Sequence, residues 1–484
     1  MRNLIQFSST SDKQDFMNNT MTNALTFVES QSSKIVEIRS KHYDEIWYTS
    51  TDGSVVAPYK SNAFNVNIVS NTYSDGKGVI KFDGKLTTIG AEAFRGLSAL
   101  ASVILPDSVT VIGNYAFYGC GGITHINLPE RLKTIGNQAF YNLTKWSDDI
   151  IIPSTVTSIG TDAFSWCYNI KSLVIGKSVT NIVLGAFRAT GTHIKSIKVD
   201  PDNNVYDSRG GCNCLIETAT GTLVTGCGNS IIPEGVKILG ESCFYYIGII
   251  SLNIPSTVTT VGSQCFGYNG TLRNLTVSTG NKIFDSRDNC NAIIETATNT
   301  LVEGSNTTVI PETVVALKAS CFYGRTGLTT INIPQSLISI SNSAFTYCIN
   351  LRQITVDENN EVYDSRNNCN AIIETATNTL IGGCNGTIIP NTVEKIGDNA
   401  FYLRINLKTL TLPSSVTSLG SSCFTSSGIT SLTVENTVPP TLLSTSLSGL
   451  SSSCVIYVPA ESVDTYKSAQ YWSNRASQIQ AIVS

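Results

Sequence analysis

At 484 residues the chain exceeds what one compact core encloses, so it either divides into domains or grows along one direction. Charged residues make up only 14% and the formal net charge is −4, which excludes the basic field that gripping nucleic acid requires. Thr, Asn or Pro interrupts every apolar stretch well before the roughly 18 residues of a membrane span, so no membrane insertion is expected.

The first residues, Met1-Arg2-Asn3-Leu4-Ile5-Gln6-Phe7-Ser8, carry one positive charge but no apolar core and no small-residue cleavage site. No signal peptide is visible, so the chain is expected either to stay in the cytoplasm or to have lost an export signal. The stretch from Asp12 to Glu29 reads as a helix. From Glu45 to Gly53 the pattern is strand-like and ends in Asp52-Gly53, a turn signal. Residues 1–85 do not follow the pattern that comes next and read as an N-terminal cap.

From residue 86 to 437 a repeat dominates. Val/Leu-x-x-Ile-Gly-x-x-Ala/Cys-Phe recurs with its Phe at 94, 117, 140, 164, 187, 244, 266, 322, 345, 401 and 424, mostly 22 to 24 residues apart. Between these lies Leu-x-x-Ile-x-Ile-Pro, as at 123–129, 328–334 and 407–413. Each coil therefore holds two short strands, and the Phe with its preceding small residue anchors a short helical or 3-10 turn. A coil this short cannot cover its own apolar side, whereas coils stacked about 4.8 Å apart share backbone hydrogen bonds and one core. The expected fold class is a repeat solenoid, mainly β. The Pro that closes the second pattern cannot donate to a ladder and ends the strand.

Three longer intervals each contain an extra module, at about 199–233, 277–311 and 356–390. Asn289-Cys-Asn-Ala-Ile-Ile-Glu-Thr-Ala-Thr-Asn-Thr-Leu301 returns almost unchanged from Asn368 to Leu380, and more loosely from Asn213 to Leu223. Apolar runs flanking Thr-Asn or Thr-Gly predict a β-hairpin in place of the Ala-Phe turn. Phe187 to Phe266 and Phe266 to Phe345 both span 79 residues, so two ordinary coils plus one hairpin coil form a higher-order unit. The final segment, 438–484, departs from the repeat: Val455-Ile-Tyr-Val-Pro459 predicts a strand and Ala460 to Tyr466 a closing helix, together a C-terminal cap over the open stack end.

In Leu-x-x-Ile-x-Ile-Pro the residues on either side of the central Ile point away from the core and form two rows on an exposed sheet. From these rows come the candidate binding residues His125, Asn127, Lys198, Asn253, Asn274, Asn332, Gln353 and Thr411. The rows are short, polar and nearly uncharged; neither paired carboxylates nor a nucleophile beside a base stands out, so no catalytic residue is expected. His42, His125 and His193 are the only histidines and share no metal-ligand spacing, so no metal and no cofactor is expected. A cleft around His42, Asp44 and Glu45 is the one place where chemistry could sit.

The fourteen cysteines do not form a secreted-type framework. Cys243, Cys265, Cys321 and Cys423 stand where other coils carry Ala, as small buried groups; Cys243 and Cys265 fall in adjacent coils within conceivable disulfide range, with free thiols favoured. Cys212-Asn-Cys214 is a weak zinc signal. Asp207-Ser-Arg209, Asp285-Ser-Arg287 and Asp364-Ser-Arg366, followed by Glu217, Glu295 and Glu374, read as rebuilt turns with Arg paired to Glu, or else as three equivalent cation or docking sites. Aromatics just after the repeat Phe, from Tyr118 to Tyr402, cover the turn or line one side of the stack for a sugar or protein.

The alternation of Ile-Gly-x-x-Ala-Phe with Leu-x-x-Ile-x-Ile-Pro through residues 86–437 resembles the BspA-type leucine-rich repeats of bacteria, and the two caps are similar to those of members from gut Bacteroides and relatives. The resemblance implies an extracellular or cell-surface location and attachment to host or neighbouring-cell proteins. The expected function is a non-catalytic adhesion scaffold that recognises a protein or glycoprotein through its sheet surface; the alternative is a structural surface-layer rod with no single partner.

Overall fold

The computed structural model describes residues 42–482 except 184 and 342. The helix expected from Asp12 to Glu29 lies outside the described residues. What is described is a β-solenoid in which successive coils lie in register.

One side of the stack is built from two-residue strands, Thr88–Ile89, Val111–Ile112, Thr134–Ile135, Ser158–Ile159 and Asn181–Ile182, paired in parallel. The Ile of each strand points inward and is buried, while its neighbour is half-buried or exposed, the alternation a strand imposes. A second side carries the strands of the exposed face. Leu100–Ile104 pairs with His125–Ile126, Ile150–Ile151 with Ser172–Ile175, and that strand with Ser196–Val199, all parallel.

The third side holds the Ala-Phe segments, and here the expected helical or 3-10 turn is replaced. Phe94 N donates to Ala116 O at 2.7 Å, and Phe117 N to Ala139 O and Phe140 N to Ala163 O at 2.8 Å, so these amides are spent on the following coil. Residues between them close turns within the coil, as Leu97 N does onto Phe94 O at 3.3 Å. A helix would keep every such N–H inside its own coil. Turning alternate amides outward instead requires left-handed backbone at intervals, found at Gln138 and Asn142 (φ 52° and 63°) and at Asp162 and Trp166 (φ 52° and 65°). The Phe rings then stack along the axis: Phe94, Phe117, Phe140, Phe164 and Phe187 follow one another at centroid distances of 5.1 to 5.6 Å.

Three antiparallel hairpins interrupt this order. In each, the second strand, Thr222–Gly226, Thr300–Gly304 or Thr379–Gly383, joins the short-strand side of the next coil in parallel. The first strand, Cys214–Glu217, Ala292–Glu295 or Ala371–Glu374, is apolar on both faces because it stands as a wall between two cores. Leu215 belongs to the core on one side while Cys214 and Ile216 belong to the core on the other; Ile293 is likewise opposed to Ala292 and Ile294, and Ile372 to Ala371 and Ile373. Gly226, Gly304 and Gly383 take the place of the repeat Phe. A Cβ on any of them would come within 2.2 Å of the next ring, Phe244, Phe322 or Phe401, so only glycine lets that ring lie against the strand.

Both ends of the exposed-face sheet are covered. Glu45–Ser50 lies antiparallel to Leu100–Ile104 and to Lys77–Phe82, with Ile68–Ser74 beyond. Asp52 caps the turn that follows Glu45–Ser50, accepting from Ser54 N at 3.0 Å. At the other end Val455–Val458 pairs with Ser431–Val434, and Ile479–Ala481 adds the last strand. The helix Val463–Ser468 places Tyr466 beneath, and Trp472 packs edge-on to it at 5.0 Å. Both are buried with their polar tips satisfied, Tyr466 Oη by Asn436 O at 2.6 Å and Trp472 Nε1 by Pro440 O at 2.8 Å.

Candidate functional site

The two rows read from the sequence exist as rows. Ser102 stands beside His125, Val174 beside Lys198, Ser251 beside Asn274, Asn253 beside Thr276, Thr330 beside Gln353, Asn332 beside Thr355 and Thr411 beside Thr433. The side chains of His125, Lys198, Asn253, Asn274, Asn332, Gln353 and Thr411 are exposed. Asn127 is half-buried and occupied: its Oδ1 accepts from Leu105 N at 2.8 Å and its Nδ2 donates to Leu105 O at 3.0 Å. The strand His125–Ile126 is only two residues long, and the Asn127 amide continues the ladder where the backbone leaves it. Asn253 and Asn332 accept from the next coil's Thr276 and Thr355 at 3.0 and 2.8 Å, so polar side chains bind the row to itself as well as facing outward.

The rows are not continuous. The hairpin walls divide the exposed face into separate sheets, and at each break the chain fills the outward position with an aliphatic residue that the sequence pattern passed over. Ile231, Val309 and Ile388 precede Ile232-Pro233, Ile310-Pro311 and Ile389-Pro390 and are 73%, 70% and 75% exposed. The signal was present, because Ile-Ile-Pro and Val-Ile-Pro are the ends of the same Ile-x-Ile-Pro pattern.

This face carries a groove of about 600 Å³ across the coils before the first wall. Ile151, which is 60% exposed, and Val174 give it an apolar floor; Asn127, Asp149, Lys198 and Asp200 also line it. Apolar contact area beside fixed polar groups of both signs is the chemistry of side-chain recognition.

His125 is exposed and hydrogen-bonded. Its Nδ1 lies 2.7 Å from Asp148 Oδ1, and Asp148 Oδ2 accepts from Trp146 Nε1 at 3.3 Å. Ser102 on the neighbouring strand completes a Ser, His, Asp order, but its hydroxyl is 2.7 Å from Thr49 Oγ1 and is not hydrogen-bonded to the imidazole. A nucleophile needs that bond to its base. Around the N-terminal residues singled out for chemistry, the Glu45 carboxylate is taken by Trp47 Nε1 at 2.7 Å, with His42 Nδ1 at 3.3 Å and Lys81 Nζ at 3.9 Å.

The Asp-Ser-Arg triplets are turn devices, with one change from expectation: Arg pairs with Asp, not Glu. Arg209, Arg287 and Arg366 donate from Nε to Asp207, Asp285 and Asp364 at 2.7, 2.8 and 2.9 Å. Each intervening Ser accepts from the strand, Ser208 from Val199 N, Ser286 from Val277 N and Ser365 from Val356 N, all at 3.0 Å. Glu217, Glu295 and Glu374 accept from a Thr three residues on. The aromatics after the repeat Phe pack on one another, Tyr118 on Tyr141 at 4.9 Å and Tyr268 on Tyr347 at 4.7 Å, with Arg188 over Tyr245 at 4.1 Å.

Fold and repeat define a leucine-rich-repeat solenoid. A profile described as the BspA type leucine rich repeat region matches in six copies, over residues 71–208, 225–300, 292–377 and 383–474. The chain belongs to that family. No curated protein matches it. Among solved structures it is similar to a leucine rich cell surface protein from Faecalibacterium prausnitzii, with 21% identity, a TM-score of 0.36, and 63% of this chain and 96% of that one covered. It is also similar to leucine-rich repeat proteins from Eubacterium ventriosum (18% identity, 80% and 96% covered, TM-score 0.38) and Bacteroides ovatus (20%, 86% and 92%, TM-score 0.31). No helix among the described residues is long and apolar enough to cross a membrane.

Proposed function

We propose that this chain is a non-catalytic adhesion scaffold, acting outside the cell, that recognises a protein or glycoprotein through the exposed sheet face. The observation that carries the reading is the uneven coat of that face. A rod that serves only as a spacer needs an even polar surface, whereas here Ile151, Ile231, Val309 and Ile388 project into water from a face whose other outward positions are mostly polar, with the groove around Ile151 bordered by Lys198, Asp149 and Asp200. Rigid coils hold these groups in place before any partner arrives, which lowers the entropy lost on binding.

The test is an array of matrix proteins and glycans probed with the purified chain and with an Ile151→Glu, Lys198→Glu variant. A partner bound by the first and lost with the second supports the proposal. Binding that is indifferent to the variant, or no partner on any array, sinks it.

A further inference from the structure

The three hairpin walls are built alike but differ at one pair of positions. The fourth residue of the second hairpin strand is Thr225, Glu303 and Gly382 in turn, and the residue three after the following Phe is Ile247, Arg325 and Arg404. The first wall thus carries no charge at this pair and the second carries both partners. The third keeps the arginine and lacks the carboxylate.

Arg404 sits as Arg325 does. Its Nε donates to Gly383 O at 2.8 Å, as Arg325 Nε does to Gly304 O at 2.6 Å, and its Nη1 reaches Phe345 O at 3.4 Å, as Arg325 Nη1 reaches Phe266 O at 2.6 Å. The difference is at Nη2. In Arg325 it meets Glu303 Oε2 at 3.1 Å; in Arg404 it reaches only Phe345 O, at 3.4 Å. Arg404 is 5% exposed, and among the described residues no carboxylate lies in salt-bridge range of it. A buried guanidinium stays charged and is expensive to leave without a counter-charge.

Beside it the third wall opens a cavity of about 320 Å³, lined by Gly382, Arg404, Ile372, Ile381, Glu374 and Asp398 among others. A Cβ on Gly382 would meet nothing closer than Ile372 Cδ1 at 3.7 Å, so the space a glutamate side chain fills in the second wall stands open here. Glu374 and Asp398 are engaged elsewhere, with Thr377 Oγ1 and with Ser421 N at 2.6 Å. Their charges nonetheless disfavour a ligand carrying a second negative group.

We propose that this cavity binds a small organic monocarboxylate, whose carboxylate takes the place beside Arg404 that the Glu303 side chain takes beside Arg325. The ligand's alkyl part packs against Ile372 and Ile381. The repeat itself shows the bound arrangement in covalent form one wall earlier.

Butyrate, a carboxylate with a short alkyl part, is the probe. Calorimetric titration of the full chain is expected to show one butyrate bound at least about tenfold more tightly than butyramide, its uncharged counterpart, and more tightly than inorganic phosphate. Gly382→Glu is expected to abolish that binding and to raise the melting temperature, because the new carboxylate pairs with Arg404. Gly382→Gln is expected to abolish binding by filling the space. Butyrate binding no tighter than butyramide, phosphate binding as tightly as butyrate, or binding retained in a folded Gly382→Gln chain each overturns the proposal. Should the variants fail to fold, the comparison of butyrate with butyramide on the unaltered chain decides alone.

Discussion

Glu303 Oε2 accepts a hydrogen bond from Arg325 Nη2 at 3.1 Å inside the second hairpin wall, where the arginine side chain is wholly buried and the glutamate nearly so. Burial pushes the Glu303 carboxyl up, and the nearby guanidinium opposes that rise. Removing the carboxylate leaves Nη2 without an acceptor and opens a void. Glu303→Ala is therefore expected to destabilise the fold by about 3–5 kcal/mol, read as a shifted chemical-denaturation midpoint. A shift no larger than that of an exposed substitution would refute the account.

A stack in which each coil touches only its neighbours confines damage. Phe140 is fully buried between Phe117 and Phe164. Phe140→Ala is expected to lose about 3–5 kcal/mol locally, with faster amide exchange in the flanking coils. Residues 401–434, several coils away, are expected to exchange as before. Uniform acceleration along the whole chain would contradict a nearest-neighbour stack.

The glycine that stands in for Phe in each wall gives a third check. A methyl group on Gly304 would press into the Phe322 ring, its Cβ falling 2.2 Å from Cε1. Gly304→Ala should destabilise by roughly 1–3 kcal/mol through overpacking, although alanine elsewhere in a strand is normally an improvement on glycine. A neutral or stabilising result by thermal melt would show that the ring can move aside.

On the exposed face, changing Ile231, Val309 and Ile388 to Glu removes no buried contact. Melting temperature should stay within the range of surface substitutions, about 0.5 kcal/mol each, while capture of the partner found by array is lost. Loss of folding instead would mean that these residues are structural.

All fourteen cysteines are buried thiols, and Cys243 Sγ and Cys265 Sγ lie 3.2 Å apart without being joined. Most are pushed up by burial, as Cys120 is to about 12. Cys212 goes the other way, lowered to about 7, chiefly by the neighbouring Cys214 side chain. Iodoacetamide should therefore modify Cys212 first, with a rate that rises through pH about 7, mapped by mass spectrometry. A different first site, or a rate rising only near the ordinary thiol value, would show that Cys214 does not lower it.

The solenoid was legible because its cause is periodic. Phe94, Phe117 and Phe140 recur at the coil length, and the small residue before each is what lets coils approach. The outward rows followed from strand alternation for the same reason. What escaped depends on contacts between coils that no single period encodes. Asn127 appeared free because its bond to the Leu105 backbone arises only where a two-residue strand stops short. The Glu303 and Arg325 pairing joins residues of unlike slots, and the Ala-Phe turn looked helical because direct donation of its amides to the next coil leaves no mark in composition. Ile231, Val309 and Ile388 stand outside the regular spacing because each module, besides inserting a hairpin, also completes an ordinary coil.

That last point sets a ruler along the molecule. The three protruding aliphatic residues recur once per higher-order unit, 78 and 79 residues apart, so they stand at a regular interval along the stack. A partner whose own features repeat at that interval can engage several at once, and each contact after the first is then intramolecular, so weak individual grips add to a strong hold. A partner of any other pitch meets one tooth at a time and slips.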